Sequence, residues 1–233
     1  MNIWPLRGLR TRPPATRYPA RAETAPGTTP GLPRTARAET SAICPTGALR
    51  AEGGPVDATR CIHCFRCVRA ESIAEWVDDY EWARFEPGRG PLPEAFRRSI
   101  HVRVVDAGDC GACLAELLQL QSPDYSLHRL GIAVTASPRD ADVLLVVGPV
   151  TNAMRVPLEA AYQAMPSPKR VVAVGACAAS GGLFGPSFQS EPGAAGAVPV
   201  DLVVPGCPPP PLAVLHGLLA VMGRVPETTK KEK

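Results

Sequence analysis

Eight cysteines in 233 residues are the side chains best suited to chemistry, and they fall into two sets. Three share one short loop, Arg60-Cys61-Ile-His-Cys64-Phe-Arg-Cys67, and a fourth lies upstream in Ile43-Cys44-Pro-Thr-Gly. The second set holds a close pair in Gly108-Asp-Cys110-Gly-Ala-Cys113-Leu-Ala-Glu116. Two single cysteines complete it, Val174-Gly-Ala-Cys177 and Val204-Pro-Gly-Cys207-Pro-Pro. Thiolates are soft ligands for zinc or iron–sulfur centres. The first residues lack an apolar leader with a small-residue cleavage site, and Arg97-Arg98 lies too deep to act as an export signal. A reducing compartment is therefore expected, where metal ligation outranks disulfides.

The C-x₂-C-x₂-C spacing of Cys61, Cys64 and Cys67 wraps three thiolates around one small object. That suits three corners of a cubane better than a zinc tetrahedron. The segment resembles a bacterial two-cluster ferredoxin with half its ligands erased. Such ferredoxins use the run C-x₂-C-x₂-C-x₃-C-P twice, and each fourth cysteine serves the other cluster. Cys44-Pro45 resembles the fourth position of a first run. The fourth position of the second run is Glu71, followed by Ser72. By that crossover, Cys44 joins Cys61, Cys64 and Cys67 on one complete [4Fe–4S] cluster, with zinc as the alternative. His63 reads as a surface side chain between ligands, and Trp76 and Trp82 as packing residues.

The second set depends on how the chain folds. His101–Val105 reads as a strand entering the Cys110 loop, and 114–120 as a helix at apolar helical spacing. A short strand is expected at 131–135. The continuous apolar run 142–147 reads as a strand buried on both faces. A helix follows near 152–165, with Thr151 as N-cap. Further strands at 170–174 and 200–204 lead to Cys177 and Cys207, and the prolines after Cys207 open a last helix over 212–222. Alternating strands and helices give an α/β fold with a mainly parallel sheet. Cys110, Cys113, Cys177 and Cys207 all lie just past strand C-termini, the edge where open α/β sheets bind ligands. Four thiolates meeting there, with no local histidine, fit a second [4Fe–4S] cluster. Nearby glycines (108, 111, 175, 206) let the backbone approach it.

The bulk numbers exclude other classes. Apolar residues make up 45 %, as in a globular protein, and the net charge of +3 does not argue for nucleic acid. No apolar run reaches the roughly 20 residues of a membrane span. The expected organisation is a flexible Arg/Pro-rich arm at 1–40, a ferredoxin-like segment at 41–86 and a Pro/Gly linker at 87–98. A main domain at 99–224 and a polar tail at 225–233 follow. There is no Gly-rich dinucleotide loop, so neither NAD nor flavin is expected on this chain.

The motifs Gly108-Asp-Cys-Gly-Ala-Cys113-Leu-Ala-Glu116, Gly148-Pro-Val-Thr-Asn152, Ala173-Val-Gly-Ala-Cys177-Ala-Ala-Ser-Gly-Gly-Leu-Phe184 and Val204-Pro-Gly-Cys207-Pro-Pro carry a closer resemblance. Over about residues 99–223 they resemble the 20-kDa, B-type subunit family of respiratory complex I and the small subunits of membrane-bound group 4 [NiFe]-hydrogenases. The resemblance implies a flavodoxin-like fold preceded here by the small ferredoxin-like segment. It also implies a proximal cluster beside a large catalytic subunit, of hydrogenase or 49-kDa type. Other hydrophilic and membrane subunits are implied too, with a soluble ferredoxin as a candidate donor. The chain would then lie peripherally on the cytoplasmic face of the membrane, held by its partners. Gly111-Ala112 between the first two ligands resembles the hydrogenase branch, because complex I subunits have adjacent cysteines there. Glu116 occupies the place of an acidic residue near the cluster and is a candidate for proton coupling. The expected function is an electron-transfer subunit with two [4Fe–4S] clusters, in a hydrogenase or formate hydrogenlyase-type complex. The alternatives are a quinone-reducing, NADH:quinone oxidoreductase-like B-type subunit and a non-catalytic zinc-stapled scaffold.

Overall fold

The computed structural model describes residues 15–23, 27–37 and 41–225. In chain order they form β1 (Leu32–Ala36), β2 (Gly54–Pro55), α1 (Arg66–Arg69), β3 (Ile73–Val77), β4 (Arg84–Phe85), β5 (Ile100–Asp106), α2 (Ala112–Gln119) and β6 (Ile132–Val134). β7 (Val143–Val147), α3 (Asn152–Ala164), β8 (Arg170–Val174), α4 (Gly175–Ser180), β9 (Leu202–Val204) and α5 (Pro211–Val221) follow.

Six strands make one sheet in the order β4-β9-β8-β7-β5-β6. Neighbours from β9 to β6 run parallel, and β4 lies antiparallel on the outer edge of β9. Counted in chain order, the five parallel strands lie 2-1-3-4-5, the flavodoxin-like order with its switch point beside the first strand. The expected α/β, flavodoxin-like sheet is the one observed. Central β7 is buried at every residue, which is why its sequence is apolar without alternation. On one face α2 and α5 pack with Ile100, Val102, Leu145 and Leu202. On the other, α3 presents Leu158 to Leu144, Val146 and Val171. Every residue of α5 is buried, as expected of a helix apolar all round, and Pro211 occupies its first turn. A Cβ on Gly217 would lie 2.7 Å from Val204 Cγ2, so this glycine sets how closely α5 approaches β9.

Thr151 stands at the N-cap of α3, but its side chain makes no capping bond. Its backbone N–H donates instead to the Ala107 carbonyl at 2.9 Å. The position ties the loop after β7 to the loop after β5, which is where the first site cysteines lie.

A second, antiparallel sheet, β2-β1-β3, carries the first cysteine set. Its core is Ala36, Ala48, Leu49 and Val56, with Cys44, Cys67 and Ile73 packed against them. Four small buried side chains are far fewer than an independent domain requires. This segment depends on the main body, or on a bound centre, for its order.

Much of the stretch expected as a flexible arm is built into the fold. β1 belongs to it, and Tyr18 is only 3 % exposed. Tyr18 meets Tyr80 edge-on at 5.3 Å, and its hydroxyl lies 2.7 Å from His216 Nδ1 of α5. Average composition missed this because two anchors, Tyr18 and Leu32, are enough to pin an otherwise polar segment. The rest of the expected arm lies outside the described residues, as does nearly all of the polar tail. The Pro/Gly stretch expected as a linker is also laid on the main body. Leu92 is buried and its N–H donates to the Val221 carbonyl at 2.8 Å.

Candidate metal centres

The second cysteine set is assembled from three loops at the C-terminal edge of the parallel sheet. After β5, Asp106 Oδ1 accepts from the Gly108 and Asp109 N–H groups at 2.9 and 2.7 Å. Asp109 Oδ2 then accepts from Gly111 and Leu114 N–H at 3.0 and 3.1 Å. This pair of turns caps α2 and leaves Cys110 exposed and Cys113 buried in the first helical turn. After β8 the chain enters α4, which carries Cys177. After β9 comes Cys207, whose loop is tied to α4 by Ala176 N–H donating to the Gly206 carbonyl at 2.7 Å.

The four thiols are close enough to oppose one another's ionisation. Burial pushes the Cys113 thiol far up, and Asp109, Cys207, Cys177 and Cys110 add to this. Cys177 is raised to about 11 by burial and by Cys207, Cys110 and Asp109, while the Leu183 N–H partly offsets the rise. Cys207 is raised by burial, Cys110 and Asp109. Space around the sulfurs is reserved by glycine. A Cβ on Gly175 would stand 2.7 Å from Cys113 Sγ, and one on Gly182 would stand 2.9 Å from Cys177 Sγ.

The first set is local. Cys44, Cys61, Cys64 and Cys67 line one recess with Leu49, His63 and Trp76. Although burial opposes it, donors from Thr46, Ala48 and Leu49 hold the Cys44 thiol below its usual range. The Ala48 N–H lies 3.2 Å from Cys44 Sγ. Thr46 Oγ1 also donates to the Arg60 carbonyl at 2.7 Å, joining the Cys44 turn to the Cys61 loop. Cys61 is raised to about 11, first by burial, with the His63 N–H opposing and Cys67, Cys44 and Cys64 adding. Cys67 is raised by burial and by Cys64 and Cys44. Cys61 and Cys67 thus feel thiols of the first set, and Cys113, Cys177 and Cys207 feel thiols of the second.

His63 departs from the expectation of a surface residue. It is mostly covered, and Cys207 N–H donates to its Nδ1 at 3.3 Å. Its ring lies 5.5 Å from that of Trp82, which is fully buried and donates from Nε1 to Asp79 at 2.8 Å. A second cross-connection runs from Ser180 Oγ of α4 to the Thr59 carbonyl at 2.9 Å. No spacing in the sequence pointed to either bond, because each spans more than a hundred residues. Asp109 was the more legible omission, since an acidic residue just ahead of an apolar helix is a start signal.

An all-thiolate donor set is what iron–sulfur centres use. A cationic core would also reverse the electrostatic penalty that holds these thiols protonated. With the glycine-reserved space at Gly175 and Gly182, the residues fit such a group. Among the described residues no three His, Cys, Asp or Glu side chains are set to grip a single metal ion. Glu116 sits one turn after Cys113 on α2, half-buried, where burial raises its carboxyl pKa. It lies near Tyr125, whose phenol is raised first by burial and next by Glu116. In the loop after α4, Leu183 and Phe184 are about 60 % exposed and Phe188 is 85 % exposed. Among the described residues no helix is long and apolar enough to cross a membrane.

Comparison with known proteins places this geometry among relatives. The family described as NADH ubiquinone oxidoreductase, 20 Kd subunit, matches residues 110–221. Formate hydrogenlyase subunit 7 of Escherichia coli is 42 % identical over 58 % of this chain and 53 % of its own length. The chain therefore spans about half of that relative. The probable membrane-bound hydrogenase subunit mbhJ of Pyrococcus furiosus is 38 % identical over 67 % of this chain and 93 % of its own. Among solved structures, a chain of the membrane-bound sulfane sulfur reductase, an archaeal respiratory membrane complex, is 31 % identical at a TM-score of 0.50. That match covers 55 % of this chain and 71 % of the other.

Proposed function

The chain belongs to the family of the complex I 20-kDa subunit and the membrane-bound hydrogenase subunits, and from that premise we propose that it is an electron-transfer subunit carrying two [4Fe–4S] clusters. The single observation behind this reading is the sorting of eight thiols into two quartets, each coupled within itself. When bound, such clusters accept and release single electrons.

In this reading Cys44, Cys61, Cys64 and Cys67 hold one cluster, and Cys110, Cys113, Cys177 and Cys207 hold the other. The residues around the second site do the positioning. Asp106 and Asp109 shape the Cys110 turn, and Gly175 and Gly182 keep side chains off the sulfurs. The exposed Leu183, Phe184 and Phe188 lie in the loop after α4, whose Leu183 N–H faces Cys177, and suit contact with a large catalytic subunit. Glu116 is in position to hold a proton next to the Cys113 turn, with a carboxyl whose pKa burial raises. The chain would attach to the inner face of a membrane through partner subunits, with ferredoxin or a similar soluble donor upstream.

The Gly111-Ala112 spacing and the two hydrogenase-type relatives favour a hydrogenase or formate hydrogenlyase-type complex. A second reading has its own support. The family description names a quinone-linked enzyme, and the solved relative is a sulfane sulfur reductase. In that case the electrons would go to a nickel-free partner.

The test is anaerobic purification from the native host with partners attached, followed by iron, sulfide and nickel analysis. About eight iron and eight sulfide per chain are expected from two cubanes. Zinc without sulfide would overturn the relay. Nickel in the complex supports the hydrogenase reading, and its absence the second.

A further inference from the structure

Two independent contacts stitch the cluster-bearing regions together, and both involve residues next to ligands. One is Ser180 Oγ to the Thr59 carbonyl, three residues beyond Cys177 and two before Cys61. The other is Cys207 N–H to His63 Nδ1. His63 has an unusual position. It lies between Cys61 and Cys64, at φ +50°, and lines the recess of the first quartet. The same ring accepts its hydrogen bond from the backbone of a ligand of the second quartet. It packs at a tilt against Trp82 at 5.5 Å and Phe65 at 6.3 Å. An acceptor Nδ1 leaves the proton of a neutral ring on Nε2. That atom is buried and makes no well-aligned hydrogen bond among the described residues, although the Gly31 backbone interacts with the ring and partly offsets the effect of burial. A buried N–H with only a poorly aligned acceptor is costly, so its placement calls for a reason.

We propose that His63 is the positioning residue that couples the two cluster sites, one imidazole spanning from the recess of the first quartet to the backbone of Cys207. The inference rests on the two-cluster reading and goes beyond it by naming the contact through which the sites communicate. The step it serves is one electron leaving one site and entering the other, with no net proton. The hydrogen bond carries the coupling by fixing the Cys207 loop against the Cys61 loop. Trp82 and Phe65 keep the ring in place.

The experiment uses the full chain, loaded anaerobically, with His63→Asn, His63→Phe, His63→Ala and Ser180→Ala. Asn tolerates a left-handed backbone and keeps an acceptor near the Nδ1 position. Phe keeps an aromatic ring against Trp82 and Phe65 and loses the acceptor. Iron and sulfide are measured first in the parent chain, and a parent without two clusters defeats the underlying reading rather than this inference. Re-equilibration of an electron between the sites after flash reduction is then followed, with the spin–spin interaction of the fully reduced protein by EPR. His63→Phe and His63→Ala should keep both clusters, slow equilibration about tenfold and weaken the spin interaction, while His63→Asn stays near the parent. Ser180→Ala, outside the recess of the first quartet, should change the rate less than either. Parent-like rates in both Phe and Ala, or loss of a cluster in all three His63 variants, would overturn the coupling role.

Discussion

The two cysteine quartets reach similar ends by opposite routes. The first is made by a turn and a loop some twenty residues apart, on a three-stranded sheet with almost no core of its own. The second draws on loops that follow β5, β8 and β9, nearly a hundred residues apart in sequence, and rests on a deeply buried parallel sheet. Their electrostatics differ accordingly. Local backbone and hydroxyl donors hold Cys44 below its usual range. Burial and the Asp109 carboxylate push Cys113 strongly the other way. A short loop brings its own N–H donors to its sulfurs. A site at a sheet edge inherits the dryness of the core beneath it, and so relies more on its cofactor to make thiolates stable.

The sharpest way to test that contrast is to remove the metal. Chelation with oxidation should release residues 41–77 to protease, because four small apolar side chains cannot hold them alone. The body from 99 to 222 should keep its helical circular dichroism and resist cleavage. Equal loss of both regions would mean that the sheet, too, needs its centre.

Gly175→Val comes next in size. Its φ of +90° and the 2.7 Å approach of its Cβ to Cys113 Sγ leave no room for a side chain. About half the iron should be lost, from the second site, with the EPR signal of the first intact. Full iron content would sink the cradle interpretation.

A smaller effect is expected of Asp109→Asn. The amide still accepts from Gly111 and Leu114 N–H, so α2 stays capped. Removing a negative charge beside the second quartet should raise that cluster's midpoint potential by about 30–60 mV, on the order of one kcal/mol. The first cluster should not move. Redox titration followed by EPR distinguishes the two, and a shared shift would argue that the sites titrate as one.

The mildest test is pH. In the metal-free chain Cys61 and Cys177 are raised from 9 to about 11. The folded form then keeps protons that the unfolded chain gives up, so this contribution to stability is complete below about pH 9. It is lost as pH rises toward 11. Alkylation mapped by mass spectrometry should accordingly label Cys44 at lower pH than Cys61 or Cys177. Simultaneous labelling would remove the distinction between donor-rich and buried thiols.

The proposed grouping of the cysteines rests on different signals in the two regions. Cys61, Cys64 and Cys67 are neighbours by spacing, and the crossover habit of ferredoxins supplied Cys44. Cys177 and Cys207 could be placed only because Arg170–Val174 and Leu202–Val204 read as buried strands, whose ends share one edge in any parallel sheet. Average composition misled for the described parts of the expected arm, 15–23 and 27–37, and for 87–98. Burial there is decided by single side chains such as Tyr18 and Leu92, and a window average dilutes them.

The order of elements and the flavodoxin-like alternation followed from the sequence, because period and strand length are local properties. Which surfaces meet was decided by the tertiary structure alone. His63 on the Cys207 amide, Ser180 on Thr59 and Tyr18 on His216 join residues 121 to 198 positions apart. Such contacts depend on how two sheets dock, and no local periodicity encodes that.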